Sequence, residues 1–241
     1  MNVDIRLMCD IMDYYYVSEK GLREQNEDYF IAGKVNDFFV FAVADGIGGH
    51  SGGELASKIA ITELKEAVKR KGSIGLVEGF EKANSTIFSE NEIRNSNMGT
   101  TLVAFIVNKK FTEYFVANVG DSRAYLFNDK IWKTKDHSLV QELVNKGALS
   151  EEEAVNHPQK NIITKALGLE KNVKPDIYKE ITKVSAVILC SDGLSDYVSN
   201  KEIIDIVERN KPKIACKKLV KKALENGSKD NITVIVVNFK D

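Results

Sequence analysis

The apolar residues of this chain fall into short runs that end next to acidic residues. The run from Phe38 to Ala44 (FFVFAVA) contains no polar position and is followed directly by Asp45 and Gly46. An apolar run of this length, rich in aromatic and β-branched residues, predicts a strand that is buried on both faces. Asp45 would then stand at the end of the strand, where side chains reach a cleft.

The same arrangement occurs twice more along the chain. Residues 187–190 (VILC) are followed by Ser191-Asp192-Gly193, and residues 232–237 (ITVIVV) are preceded by Asp230-Asn231. Three predicted core strands therefore each adjoin a carboxylate at one end. Carboxylates gathered in this way point to a site for a hard metal ion, because such ions prefer oxygen ligands.

The remaining pattern predicts strands and helices in groups. Apolar residues recur at near-helical spacing over residues 54–71 and about 74–93. Short turns separate several predicted strands, which favours an antiparallel sheet with helices covering its faces, the α+β class. The other predicted strands are 7–17, 29–32, 100–107, 111–119, 122–127, 173–181 and 186–190, with a turn at 18–21, and the other helices are 200–208 and 212–226.

Residues 139–168 differ from the rest of the chain. They contain two short helical pieces, 139–146 and 150–156, joined by loops. We expect a surface flap inserted into a single domain that spans residues 1–241, and not a second domain.

Composition narrows the class of protein. A hydrophobic content of 43% in 241 residues is ample for one large core. The 34 Lys and Arg residues against 35 Asp and Glu give a net charge of −1, so no positive field gathers nucleic acid or anionic membrane. Three separated cysteines indicate a reducing compartment, and charged residues interrupt the N-terminal apolar positions, unlike a signal peptide. We expect a soluble cytoplasmic protein with no membrane insertion and no nucleic-acid partner.

Several motifs that carry chemistry can be rejected. The glycine-rich segment 46–53 fails the dinucleotide pattern because Ser51 stands at its third glycine, and it fails the P-loop pattern because Glu54 stands where lysine is required. The sequence around Ser195 lacks the closing glycine of a nucleophile elbow. Scattered histidines and cysteines do not form a zinc site. Oxygen ligands remain, and these suit Mg²⁺ or Mn²⁺.

Each candidate residue also has a simpler interpretation when taken alone. Asp-Gly after a strand is a strong hairpin signal, so Asp45-Gly46 and Asp192-Gly193 are singly more often turns than ligand sites. The other simple interpretations are turns for Asp121 and Asp230, a solvated loop for Glu27 and Asp28, a surface position for Arg23, and structural hydrogen-bond donors for His50 and His137. Only the joint pattern separates these interpretations from a metal site.

Seven short motifs occur in a recognisable order between about Ser18 and Phe239. They are Gly21-x-Arg23-x-x-Asn26-Glu27-Asp28, Asp45-Gly46-x-Gly48-Gly49, Gly99-Thr100-Thr101, Gly120-Asp121-Ser122-Arg123-Ala124-Tyr125, Thr134-x-Asp136-His137-Ser138, Ser191-Asp192-Gly193 and Asp230-Asn231. In this order the chain resembles the metal-dependent protein phosphatases of type 2C, particularly the compact bacterial members. The resemblance implies a four-layer α-β-β-α sandwich, in which helices flank two antiparallel sheets, with a two-metal site at one end.

The resemblance also assigns the metal ligands, residue by residue. Asp45 matches the carboxylate that bridges two ions of Mn²⁺ or Mg²⁺. The carbonyl of Gly46 and a water held by Glu27 match the ligands that complete one ion. Asp192 and Asp230 match the ligands of the other ion.

Three further residues take roles from the same resemblance. Asp121, together with Asp192, matches a third and weaker metal position of bacterial members. Asp28 matches a residue that orients metal-bound waters, and Arg23 matches the arginine that binds substrate phosphate. These roles agree with the chemistry, since two divalent ions can activate a bridging water and an arginine fork can take two phosphate oxygens.

The function implied is a protein serine/threonine phosphatase that acts on phosphorylated proteins, opposes a Ser/Thr kinase and works as a monomer. A catalytically silent relative that binds phosphoproteins is a different class, and its expected signature, loss of a ligand, is absent. A metal-dependent nuclease would need a basic face, which the charge balance does not support. One departure from the family pattern is Ile47, which stands where many eukaryotic members have a histidine proposed as the general acid.

Overall fold

The computed structural model describes residues 11–48, 52–128, 131–155, 157–181 and 184–240. Within these ranges the chain forms two five-stranded sheets and one small two-stranded sheet. The strands are β1 (Met12–Glu19), β2 (Tyr29–Val35), β3 (Phe38–Ala44), β4 (Gly46–Ile47), β5 (Gly99–Thr100), β6 (Leu102–Asn108), β7 (Tyr114–Val119), β8 (Arg123–Phe127), β9 (Ile131–Lys133), β10 (Asp176–Ile181), β11 (Ala186–Cys190) and β12 (Ile232–Phe239). The helices are α1 (Gly52–Lys71), α2 (Gly75–Arg94), α3 (Leu139–Asn145), α4 (Glu151–Val155), α5 (Asp192–Ser195), α6 (Asn200–Glu208) and α7 (Pro212–Glu225), with a 3₁₀ turn (Gly72–Ile74) between α1 and α2.

The two large sheets pack face to face. Strand order is β1-β12-β11-β8-β9 in the first sheet and β10-β7-β6-β3-β2 in the second, and neighbouring strands run antiparallel. Alternation along β3 shows why its sequence is wholly apolar. Phe41 and Val43 belong to the core between the sheets, whereas Val40 and Ala42 pack with α1 and α2 on the outer face.

The first sheet is covered in the same way on its outer side. Ile235 and Val237 of β12 belong to the core between the sheets. Val234 and Val236 face outward and pack with Leu219 of α7 and with residues of α6. The order of layers is therefore α1 and α2, second sheet, first sheet, then α6 and α7, which confirms the predicted four-layer α-β-β-α sandwich.

Local sequence signals set the ends of the outer helices. Helix α6 begins after Ser199, whose hydroxyl accepts the Glu202 N–H while the Glu202 carboxylate accepts the Ser199 N–H. Such a capping box satisfies two backbone donors that a helix leaves unpaired at its start. Helix α7 begins with Pro212, whose fixed backbone angle suits the first helical position. In the described part of the chain, every helix is too short or too polar to cross a bilayer.

The structure differs from the expected elements mainly at short segments. β1 runs to Glu19, so the turn expected at 18–21 begins only at Gly21. The part of the expected first strand before residue 11 lies outside the described residues. The sequence pattern also gave no indication of β4, β5, β9 or α5. Elements of two to four residues are too short for local periodicity to indicate them. Two of them, β4 and β5, also form only by pairing with each other across about 50 residues of chain.

The segment 139–168 contains α3 and α4, close to the predicted helical pieces. Its two ends are held together by an antiparallel bridge between Ser138 and Ile163. Its last residues are less superficial than the sequence indicated, because Ala166 and Leu167 are buried and Leu167 pairs with Thr100 of β5. The far end of the flap is therefore anchored in the core beside α2.

Candidate metal centre

The strand registers bring the acidic residues to one end of the sandwich. Tyr29 of β2 pairs with Ala44 of β3, so Asp28 and Asp45, one residue beyond each, lie opposite one another. In the other sheet, Cys190 at the end of β11 pairs with Val234 near the start of β12. This pairing brings Asp192, which follows β11, close to Asp230, which precedes β12. Four strand ends thus supply the candidate residues of one cleft.

The backbone of Asp45 is fixed by two threonines. The Asp45 N–H donates to the Thr101 hydroxyl at 3.0 Å. The Asp45 carbonyl accepts from the Thr100 hydroxyl at 2.8 Å and from the Thr101 N–H at 2.9 Å. The Gly99-Thr100-Thr101 motif therefore places the candidate bridging carboxylate, a role that its sequence did not reveal.

Glycines in this cleft allow close backbone approach instead of forming hairpins. A Cβ atom on Gly46 would overlap the backbone of Gly53, and one on Gly53 would lie 2.8 Å from Glu27 Cδ. A Cβ atom on Gly193 would overlap the carbonyl oxygen of Asn231. Gly46 begins β4 and Asp192 begins α5, so the hairpin interpretation of the two Asp-Gly pairs was wrong.

Asp28 is the most deeply buried of the candidate acids. Only 5% of it is exposed, and the Ser191 hydroxyl donates to its Oδ2 at 2.9 Å. Ser191 itself accepts the Thr233 N–H at 3.0 Å, so β12 fixes the serine and the serine fixes Asp28. The alternative interpretation of Asp28 as part of a solvated loop was wrong.

Asn231 joins the loop between β1 and β2 to the start of β12. Its side-chain amide donates to the carbonyls of Lys20 and Gln25 at 2.8 and 3.0 Å, and its Oδ1 accepts the Glu27 N–H at 2.8 Å. The loop that carries Arg23 is thereby clamped against Asp230. The sequence singled out Asp230-Asn231 as a motif but could not assign this clamp, because its three partners are about 200 residues away.

Arg23 reaches the cleft from this loop. Its Nη2 lies 2.7 Å from Asp230 Oδ2, with the two side chains 57% and 31% exposed. An ion pair this exposed contributes little to stability. The guanidinium is therefore available at the cleft mouth, although the alternative of a surface arginine also fits its exposure.

Asp121 lies at the turn between β7 and β8 and is supported by a histidine. The Gly120 N–H donates to His137 Nδ1 at 3.0 Å, and His137 Nε2 lies 3.3 Å from Asp176 Oδ2. The imidazole is thus part of the scaffold around the turn, in agreement with its structural interpretation. Burial lowers the pKa of His137, which keeps the ring neutral and its Nδ1 free to accept.

The cleft carboxyls repel one another, and those of Asp28 and Asp121 are buried. Burial, followed by the charges of Asp192 and Asp28, raises the pKa of Asp45 well above its usual range. Burial raises the pKa of Asp28 to about 7 and that of Asp192 to about 6, and it raises those of Glu27 and Asp121 as well. Asp45 and Asp192 are close enough to share a proton in a hydrogen bond. A cluster of this kind is more stable with protons or cations bound than with bare charges.

Unpaired oxygens show where a cation would fit. Glu27 Oε1, Asp28 Oδ1 and Asp121 Oδ1 are buried without a hydrogen-bond partner. Among the described residues, no group of three or more His, Cys, Asp or Glu side chains is spaced as a ready-made metal site. The unpaired atoms are carboxylate oxygens, the kind of ligand that Mn²⁺ and Mg²⁺ prefer. Gly49 and His50 lie outside the described residues, so the interpretation of His50 stays a prediction.

Stability of the metal-free protein is expected to fall as pH rises from about 4 to about 7. The cleft carboxyls have higher pKa values in the folded chain, so above pH 4 the folded state holds more protons than the unfolded state. Each extra proton makes stability fall by about 1.4 kcal/mol per pH unit. Urea unfolding in EDTA at several pH values measures the slope. A stability that rises through this range would show that the carboxyls do not repel as described.

Comparisons with known proteins were made on the sequence and on the fold. The family profile described as Protein phosphatase 2C matches residues 20–227. The serine/threonine phosphatase stp of Listeria welshimeri is 39% identical over 233 residues, which cover 90% of this chain and 91% of that protein. The crystal structure of the Mycobacterium tuberculosis serine/threonine phosphatase PstP/Ppp aligns with a TM-score of 0.86 at 33% identity and covers 96% of this chain and 100% of that one. A PstP catalytic domain described in complex with 2 manganese ions aligns with a TM-score of 0.83 at 32% identity, covering 96% of this chain and 99% of that one.

Proposed function

Because the chain belongs to the protein phosphatase 2C family and is a serine/threonine protein phosphatase, we propose that its acidic cleft binds two divalent cations, Mn²⁺ or Mg²⁺. The observation that carries the proposal is the set of buried, unpaired carboxylate oxygens at one end of the sandwich. The related PstP domain with two manganese ions supports it. The substrates are phosphoserine and phosphothreonine side chains of proteins.

The proposed ligands divide between two positions. Asp45 would serve both cations, the Gly46 carbonyl and a water held by Glu27 would serve one, and Asp192 and Asp230 would serve the other. Asp121, together with Asp192, would hold a third cation more weakly. When bound, the cations neutralise the phosphate charge and lower the pKa of the attacking water.

The chain's own residues bind and orient the reactants. Arg23 offers a planar fork that takes two phosphate oxygens, and Asn231 holds the loop that aims it. Asp28 has one oxygen, Oδ1, without a partner, and it would orient cation-bound water while Ser191 fixes the other oxygen. The phosphatase opposes a Ser/Thr kinase, because its reaction removes the group that such a kinase adds.

A panel of phosphopeptides tests the proposal. We expect phosphate release from phosphoserine and phosphothreonine peptides with Mn²⁺, little release from a phosphotyrosine peptide, and none after excess EDTA. The catalytically silent alternative predicts binding of the same peptides without release. Release that survives EDTA would exclude the proposed cation requirement.

Shortening the flap is expected to change peptide preference and not the chemistry. Ser138 and Ile163 are bridged, so a short Gly/Ser linker can replace residues 140–161 without moving the flap ends. The anchored residues Ala166 and Leu167 stay in place. We expect a several-fold change in KM for phosphopeptides and near wild-type hydrolysis of p-nitrophenyl phosphate. Equal losses on both substrates would show that the flap supports the cleft, for which the Lys160 to Asp196 contact at 3.3 Å is the first candidate.

A further inference from the structure

A groove lies outside the acidic cleft, between β1 and α7. It has a volume of about 750 Å³ and is lined on one side by Tyr15, Tyr16 and Phe30 and on the other by Lys217, Lys221 and Leu224. Two acidic residues, Glu19 and Glu225, also line it. Tyr16 and Leu224 are 45% and 44% exposed. We call this surface the β1 groove; the proposed reaction uses none of its residues.

One wall of the β1 groove is the edge of a sheet. β1 is the outermost strand of the first sheet, and within the described residues only β12 pairs with it. The other edge of an outermost strand presents backbone N–H and C=O groups that an extended peptide can join. The aromatic side chains on β1 add apolar contacts for alternate side chains of such a peptide.

The other wall is cationic. Helix α7 (PKIACKKLVKKALE) contains five lysines and one glutamate. Lys213, Lys217 and Lys221 recur every four residues and so share one face, and Lys213 Nζ lies 5.8 Å from the Tyr15 ring centre. On the other face, Lys218 contacts Asn210, just beyond α6, and Lys222 contacts Glu202 of α6. On the groove face, Lys221 Nζ lies 3.5 Å from Glu225 Oε1, and both side chains are exposed. Three lysines against one glutamate leave this face of α7 positive, so an occupant that complements it carries acidic side chains.

The groove leads toward the cleft. Tyr16 pairs with Ile235 of β12, and Asp230 stands five residues before Ile235. Five residues of extended chain span about 17 Å. After β1 ends at Glu19, the chain enters the loop that carries Arg23, so a peptide strand lying along β1 would point at the proposed phosphate site.

We propose that the β1 groove binds an extended acidic segment of the phosphoprotein substrate, about five or more residues from the phosphorylated residue, as an added strand along β1. This inference rests on the proposed function for its substrate class. The groove supplies affinity through backbone pairing and lysine contacts, and the cleft supplies the chemistry.

Two kinds of probe separate the groove from the cleft. One probe is a short phosphothreonine peptide. The other is a pair of long peptides, in which a five-residue spacer joins the segment Glu-Val-Asp-Val-Glu to the N-terminal or to the C-terminal side of the same phosphothreonine peptide. We expect one of the two long peptides to have a lower KM than the short peptide. In Lys217→Glu/Lys221→Glu the KM of that long peptide should rise roughly tenfold, while the KM values of the short peptide and of p-nitrophenyl phosphate stay unchanged. The matched control Lys218→Glu/Lys222→Glu changes charge equally on the other face of α7 and should keep the wild-type KM.

A binding measurement that needs no catalysis distinguishes failure of the groove inference from failure of the proposed phosphatase function. Fluorescence anisotropy of the labelled, unphosphorylated acidic segment should show binding that the groove variant loses, whether or not the protein releases phosphate. The same KM for short and long peptides, or equal effects of the groove and control variants, would overturn the inference. So would co-sedimentation with phosphatidylserine vesicles that the groove variant alone abolishes while peptide KM is unchanged. Peptide binding that appears only after deletion of residues 1–10 would instead assign the groove to the chain's own N-terminus.

Discussion

Asp45→Ala is expected to lower kcat/KM for a phosphothreonine peptide by at least about 10³-fold and to abolish stabilisation by Mn²⁺. Asp45 is the one carboxylate assigned to both cations, and its backbone is fixed by Thr100 and Thr101. Removing it would therefore disturb both main positions at once, whereas each of the other proposed ligands serves at most one of these two cations. In the wild type, Mn²⁺ at 100 times its dissociation constant adds roughly 2.7 kcal/mol, which corresponds to a rise in Tm of about 5–10 °C.

The same substitution should make the metal-free protein more stable. Asp45 lies among carboxyls that raise its pKa through burial and mutual repulsion, so its removal relieves an unfavourable charge. Asp45→Asn keeps the shape of the side chain and should reproduce both effects, while Asp13→Asn on the exposed face of β1 should change neither. Thermal unfolding in EDTA and in Mn²⁺ measures all four proteins. A Mn²⁺ response that survives in Asp45→Ala would remove Asp45 from the cation site.

Arg23→Ala is expected to raise KM and to leave the Mn²⁺ response in place. The guanidinium contacts Asp230 at the cleft mouth and is more than half exposed, so its loss does not unfold the protein. Loss of a charged hydrogen bond to phosphate corresponds to about 1.5–3 kcal/mol, or a drop in kcat/KM of about ten- to a few hundred-fold.

Arg23→Lys serves as the matched variant. Lysine keeps the charge but cannot supply the planar fork, so we expect only partial recovery of KM. Isothermal titration with Mn²⁺ on all three proteins separates phosphate binding from cation binding. If Arg23→Ala loses the Mn²⁺ response as well, the contact with Asp230 supports the cation site and the assignment of Arg23 to phosphate is wrong.

The core of the fold could be predicted because its residues reflect local periodicity. β3 is apolar at every position since both of its faces are covered, and 186–190 was predicted with the bounds that β11 has. The serine and glutamate of the capping box likewise mark the start of α6. In each case the residues that decide the structure are neighbours in sequence.

The details of the cleft could not be predicted because they depend on distant partners. Asn231 is a single polar residue before a strand, and nothing near it indicates that it binds Lys20, Gln25 and Glu27. β4 and β5 exist only because Gly46 and Ile47 meet Gly99 and Thr100. The Asp-Gly pairs were wrongly interpreted as hairpin turns for the same reason. Their glycines are needed because other segments approach them closely, and the local sequence does not show that approach.

A parallel titration with Mn²⁺ tests the central claim most directly. Metal-stripped protein is titrated while one aliquot reports phosphate release from a phosphothreonine peptide and another reports Tm. We predict no release without metal, and release and Tm that rise together over the same Mn²⁺ concentrations. Asp45→Asn should show neither rise. Release from the metal-stripped protein, or a Tm that ignores Mn²⁺ while release proceeds, would contradict a cation-dependent phosphatase centred on Asp45.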